Sequence, residues 1–220
     1  MKKIGFLCIL AIISLLLAGG SAIAATSVAW TNPADGSSFT IGTNVQPSGQ
    51  ADATGTFGTG LDLALVLDSS GSMTALETAT VGGTTTTKSR GAWQKQFAKD
   101  LVASLPTATT PVGVTEFDSD ANTLQTLLPL TSTTNINSIN SAIDSVNLWG
   151  GTDIGDGIDE ANAELTSSRA DPTRDQMMIV FSDGYSSSGP AEADSAVAGD
   201  IEAIHSVGLP GHNAALMQNI

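Results

Sequence analysis

Three short polar clusters carry the oxygen chemistry of this 220-residue chain: Asp68-Ser69-Ser70-Gly71-Ser72, Gly150-Gly151-Thr152-Asp153 and Ser182-Asp183-Gly184. Within them Asp68 and Asp183 offer two carboxylates, and Ser70, Ser72 and Thr152 offer three hydroxyls. All are hard oxygen donors, a set that suits octahedral Mg²⁺ first, with Mn²⁺ or the looser Ca²⁺ as alternatives. The same residues have a plain structural reading, in which Asp68 caps a helix and the serines satisfy turn amides. His205 and His212 have no Cys or second His at ligand spacing and read as structural or solvated.

For the clusters to meet, each must end or begin an element of a common sheet. The nearly continuous apolar run 61–67 predicts a strand buried on both faces, and 177–181 a second one. The first cluster follows the first run and the third follows the second. Residues 112–117 read as another strand, with 123–128 as its hairpin partner. Trp93, Phe97, Leu101 and Leu105 recur every four residues and predict a helix over 92–105. Ile136, Ile139, Ile143 and Val146 define a second helix, and Ile154, Ile158, Ala161 and Leu165 a third that starts directly after the Gly-Gly-Thr cluster. Ala193, Val197, Ile201 and Ile204 predict a further helix, 205–209 one more strand, and 212–220 the beginning of a last helix. Alternating strands and helices imply an α/β fold: a doubly wound, mostly parallel sheet with helices on both faces. In such sheets functional groups gather beyond the strand ends where the strand order switches.

Residues 1–24 read as a secretory signal peptide: Lys2 and Lys3, an apolar run, then Ala22-Ile23-Ala24 before Ala25. Cleavage removes Cys8, the only cysteine, so thiol and disulfide chemistry are not expected in the mature chain. Residues 25–60 are rich in Thr, Ser and Gly. Asn32-Pro33-Ala34-Asp35-Gly36 is a turn signal flanked by Val28, Trp30, Phe39, Ile41 and Val45, which predicts a short β-rich extension, with a linker around 49–60.

The Asp-x-Ser-x-Ser loop, the distant Thr and the strand-terminal Asp-Gly resemble the metal-ion-dependent adhesion site of von Willebrand factor type A domains, in particular the secreted bacterial members. The resemblance covers residues 61–220. It implies that Ser70 and Ser72 ligate a divalent cation through their hydroxyls, and that Thr152 does so directly or through water. It further implies that Asp68 and Asp183 hold the ion mainly through ordered water and orient the serines. With neutral direct ligands the cation keeps an open position for a partner's Asp or Glu carboxylate. The function implied is an exported, monomeric binding or adhesion module at the cell surface, taking a protein or surface ligand that offers an acidic side chain. A metal-independent structural or assembly module of the cell envelope is the alternative, since metal-free members of the family exist. Such domains continue through a closing helix, so the resemblance also implies a domain incomplete at its C-terminus.

Composition narrows the function classes. Eight basic against 22 acidic residues give a net charge of −14, which repels phosphate backbones and anionic lipid surfaces. Nucleic-acid binding, and membrane insertion after signal cleavage, are therefore not expected. Nor is catalysis: no Gly-x-Ser-x-Gly elbow or phosphate-binding Gly-rich loop occurs, and the position two residues after Asp68 is Ser70 rather than a second acid. Asp118-x-Asp120-x-Asn122 imitates a calcium loop, but Thr123 stands where Gly is required and Pro129 where Glu is required, so a hairpin turn is expected. Asp153, Asp156, Asp159 and Glu160 crowd the start of a helix, where the macrodipole favours them. Trp149 reads as half-buried support for the Gly-Gly-Thr loop, with a rim contact for the bound partner as the alternative. The 74–90 segment reads as a long connection, bordering the ligand surface or disordered, with the Thr84–Thr87 run in a loop.

Overall fold

A computed structural model describes residues 25–32, 48–53, 60–81, 84–209 and 211–220. The chain divides into two compact units, one within residues 20–58 and one containing 59–220. In the smaller, β1 (Ala25–Asn32) and β2 (Ser48–Ala53) form an antiparallel pair. The expected linker at 49–60 is thus a strand in its first half. The signal peptide and the turn with Phe39, Ile41 and Val45 lie outside the described residues.

The larger unit is built on β3 (Leu61–Asp68), the middle strand of five. It runs parallel to β6 (Pro111–Phe117) on one side and to β8 (Asp175–Ser182) on the other. Outside these lie β7 (Ala121–Pro129), antiparallel to β6, and β9 (Ala203–Gly208), parallel to β8. Side chains alternate between faces along a strand, and β3 shows it directly. Leu63, Leu65 and Leu67 enter one core with Ala98, Leu101 and Val102 of α1 (Arg90–Ser104) and Ile139 and Ile143 of α2 (Thr133–Ser145). Ala64 and Val66 enter the other, with Ile154, Ile158, Ala161 and Leu165 of α3 (Ile154–Leu165) and Ala193 and Ala196 of α4 (Pro190–Ala198). The sheet is therefore mostly parallel and covered on both faces, as the apolar runs require.

Helix starts follow local chemistry. Ser89, Ser132 and Asp153 cap α1, α2 and α3, each accepting a first-turn amide through its side chain. Two expectations fail. The helix through Ala193 and Val197 ends at Ala198, before Gly199, and Ile204 belongs to β9. The helical spacing of Val197, Ile201 and Ile204, four residues and then three, joins two elements by coincidence, and Val197 is half exposed. The 74–90 connection is neither disordered nor a loop through the threonines. A 3-10 turn (Gly71–Thr74) leads into an antiparallel hairpin of β4 (Leu76–Val81) and β5 (Thr84–Ser89). Among the described residues beyond β9, one four-residue helix, α5 (Ala214–Met217), forms. Among the described residues no helix is long and apolar enough to cross a membrane.

The packing of α3 on β6 is close enough to forbid a methyl group. A Cβ on Gly157 would lie 2.7 Å from Cδ1 and 3.0 Å from Cβ of Phe117, whose side chain is fully buried. Helix propensity favours Ala over Gly by about 1 kcal/mol, but overpacking costs about 1–3 kcal/mol. Gly157→Ala should therefore be destabilising on balance by up to about 2 kcal/mol. Urea unfolding would show this as a lowered midpoint at unchanged slope, and a raised midpoint would contradict the packing.

Candidate metal centre

The C-terminal ends of β3, β6 and β8 lie side by side, with Asp68 opposite Phe117 and Leu67 opposite Phe181. Asp68 is wholly buried at that edge. Its backbone is clamped by Gln94 of α1: the Asp68 N–H donates to Oε1 (3.1 Å), and Nε2 donates to the Asp68 carbonyl (2.9 Å). Its carboxylate then organises two of the three clusters. Oδ1 accepts the Ser70 amide at 2.8 Å, which turns the chain just after the strand, and Oδ2 accepts the Ser182 hydroxyl at 2.6 Å. Ser69 donates both its amide and its hydroxyl to the Phe117 carbonyl. Met73, fully buried, anchors the 3-10 turn that carries Ser72.

The second cluster docks on the first through backbone bonds. Trp149 N–H donates to the Ser69 carbonyl at 2.7 Å, and Gly71 N–H to the Gly150 carbonyl at 3.3 Å. Gly150 has φ +87°, and a Cβ there would meet the Asp118 carboxylate at 2.9 Å, so only glycine fits. Gly151 N–H donates to Ser119 Oγ and Asp153 N–H to the Asp118 carbonyl, which suspends Thr152 between two fixed peptides. Thr152 is partly exposed. Asp118 and Asp120 form the β6–β7 hairpin turn, where Asp118 N–H donates to the Asp120 carbonyl.

In the third cluster Asp183 is wholly buried. Oδ2 accepts Nη1 of Arg90 at 2.8 Å and Oδ1 accepts the Tyr185 amide at 3.3 Å. Its carbonyl accepts the Asn213 amide, and Ser182 Oγ accepts the Gly184 amide.

All five expected residues thus fall on three loops tied to one another at the end of the sheet. Ser70 Oγ and Ser72 Oγ stand 2.9 Å apart, bonded to each other rather than to turn amides. Two cis oxygens about 2.1 Å from an octahedral Mg²⁺ are separated by about 3 Å, so the pair has the edge length such an ion needs. Each carboxylate oxygen of Asp68 and Asp183 already accepts a proton donor. Among the described residues no three His, Asp or Glu side chains group to hold a metal, so any ion here depends on the hydroxyls. On this donor set the residues fit a small divalent cation.

Burial raises the Asp68 carboxyl from 3.8 to about 6; the bonds from Ser182 and Ser70 oppose the rise, and the nearby Asp183 charge adds to it. Sequence reasoning missed Arg90, Gln94 and the bridging role of Ser182. The Trp149 peptide supports the loop, but its side chain is 71% exposed, against the half-buried reading and in keeping with a rim position. His205 is partly buried, and burial lowers its pKa; His212 is exposed, with Nδ1 2.8 Å from the Leu209 carbonyl.

A model of the von Willebrand factor type A domain family matches residues 62–219. Among solved structures the chain is similar to an aerotolerance-related membrane protein from Bacteroides fragilis (24% identity, TM-score 0.53, covering 68% of each chain). It is similar to the manganese-loaded TRAP protein of Plasmodium vivax (19%, TM-score 0.54, covering 72% of this chain and 61% of that one). A third is proximal thread matrix protein 1 from the mussel byssus with a zinc-occupied MIDAS motif (22%, TM-score 0.52, covering 67% and 37%). At these identities the likeness shows the fold. A search of curated proteins gave no match.

The Asp68 shift has a definite sign in stability. The unfolded carboxyl ionises near 3.8 and the folded one near 6, so both states are protonated below the lower value. As pH rises between the two values, the unfolded state ionises first and the folded state loses about 3 kcal/mol relative to it. Asp68→Asn lacks this term and shares every other titration. In EDTA the stability of Asp68→Asn over the parent should grow by about 2 kcal/mol from pH 4 to pH 7. A difference that does not change with pH would contradict the burial of this charge.

Proposed function

Because the chain belongs to the von Willebrand factor type A domain family, we propose that it is a non-catalytic binding module, exported to the cell surface. In this reading it captures a protein or surface ligand whose carboxylate completes the coordination of a divalent cation, Mg²⁺ before Mn²⁺ or Ca²⁺. When bound, the cation supplies a Lewis-acidic attachment point for an anionic oxygen. Ser70 and Ser72 hold it through hydroxyls, and Thr152 stands ready as a third oxygen. Asp68 and Asp183, with their oxygens already engaged, orient the loops and supply the negative field behind the ion. The observation that carries this reading is the 2.9 Å separation of the two serine oxygens above a buried carboxylate.

A macromolecular ligand is supported by the rim. Four large hydrophobic side chains are exposed among the described residues, and three adjoin the clusters: Leu76 (72% exposed) after the serine turn, Trp149 (71%) before Gly150, and Tyr185 (58%) after Gly184. Apolar groups around a polar centre are the arrangement of a protein-binding patch. The chain's acidic charge slows the approach of acidic partners, so short-range contacts must carry the binding.

One observation favours the metal-independent alternative. The Arg90–Asp183 ion pair satisfies Asp183 with no metal needed. Calorimetric titration separates the readings. We expect saturable uptake of Mg²⁺ or Mn²⁺ by the protein, lost on Ser70→Ala or Ser72→Ala while the urea midpoint in EDTA moves by less than about 1 kcal/mol equivalent. No uptake by the parent protein would leave the structural module as the reading.

A further inference from the structure

The cation the structure does hold at this centre is Arg90, the first residue of α1. Its side chain is 12% exposed and that of Asp183 is 0% exposed. Nη1 donates to Asp183 Oδ2 at 2.8 Å and Nη2 to Glu77 Oε1 of β4 at 3.1 Å, while Nε is buried without a partner. The guanidinium is also boxed in. A Cβ on Gly211, at φ +85°, would fall 2.4 Å from Nη2 and 2.8 Å from Glu77 Oε1. The Arg90 amide donates to the Ala75 carbonyl, which fixes the start of the helix to the start of the hairpin.

Resting on the metal-binding reading above, we propose that Arg90 is an affinity-setting residue: a resident counter-cation that competes electrostatically with the metal for the field of Asp183. A buried carboxylate with no partner is strongly disfavoured, so Arg90 neutralises Asp183 in the metal-free protein. The same fixed positive charge is bonded to Asp183, one of the two acids that the metal-binding reading places behind the ion, and so opposes a divalent cation in that field. Glu77 draws part of that charge towards β4, so the strength of the competition is set by the division of one guanidinium between two carboxylates. A weakly satisfied ion depends more on an external carboxylate, which ties this residue to ligand capture and not only to folding.

The test is Mn²⁺ affinity by calorimetry, with urea unfolding in EDTA and in saturating Mn²⁺ as the second readout. Arg90→Gln keeps a donor near Asp183 and removes the charge; Arg90→Lys keeps the charge. The inference expects Arg90→Gln to bind Mn²⁺ roughly tenfold or more tightly than the parent, and Arg90→Lys to stay within about threefold of it. It also expects Arg90→Gln to lose stability in EDTA and to recover it with Mn²⁺, because the ion replaces the missing cation. Unchanged or weaker binding by Arg90→Gln would overturn it and leave Arg90 a purely structural clamp, as would a variant that stays unfolded with Mn²⁺ present. If the parent takes up no Mn²⁺ and Arg90→Gln does, the competition stands and the metal-binding reading of the parent falls.

Discussion

A carboxylate placed at the end of a strand with neighbours on both edges and helices on both faces has no water to ionise into. Asp68 is in that position, and the centre is organised by the need to surround it with donors. One oxygen takes the amide of Ser70 and the other takes the hydroxyl of Ser182, so a single side chain fixes the geometry of two loops from strands 114 residues apart in sequence. The donors only partly offset burial, which leaves the group with a pKa near 6. The third loop needs no charge to join, since its peptides bond to the backbone of Ser69 and Gly71.

Asp183 presents the same problem just past the end of the neighbouring strand and meets it differently, with a full cation instead of hydroxyls. The two carboxylates are therefore not equivalent. Asp68 is held by groups that a metal ion would leave in place, whereas Asp183 is held by a charge that a metal ion would oppose. With the acids engaged by protein donors, the hydroxyls of Ser70 and Ser72 are bonded to each other, and the partly exposed Thr152 stands on the neighbouring loop. Under the proposed function, neutral ligands of this kind would quench little of a cation's charge, and this would link the buried electrostatics of the strand ends to ligand capture.

Much of the frame was legible because burial on both faces leaves an unbroken apolar signature, as in 61–67 and 177–181, and because α1 to α3 show helical spacing over three or more turns. The three clusters were legible because each is a short polar motif at a strand or helix boundary, and the structure ties their loops together. The partners that finish the centre were not. Arg90 meets Asp183 across 93 residues and Gln94 meets Asp68 across 26, and no local pattern announces such pairs. The β4–β5 hairpin was hidden by composition. Thr84 to Thr87 look like low complexity, although β-branched residues beside Gly82-Gly83 are also a hairpin signal. The overlong helix after Ala193 arose because a strand residue, Ile204, fell on the helical period, and Gly199 was the stop signal to heed. The exposure of Trp149 depends on what packs near it in three dimensions, which its Gly-Gly neighbours do not reveal.

Anomalous scattering from crystals grown with Mn²⁺ tests the central claim most directly, because it locates the ion without reference to activity. The account predicts one strong peak about 2.1 Å from both Ser70 Oγ and Ser72 Oγ, on the side facing Thr152, with Asp68 and Asp183 further away. A peak instead among Asp153, Asp156, Asp159 and Glu192, whose charges act together on the Asp159 carboxyl, with none at the serines, would contradict it.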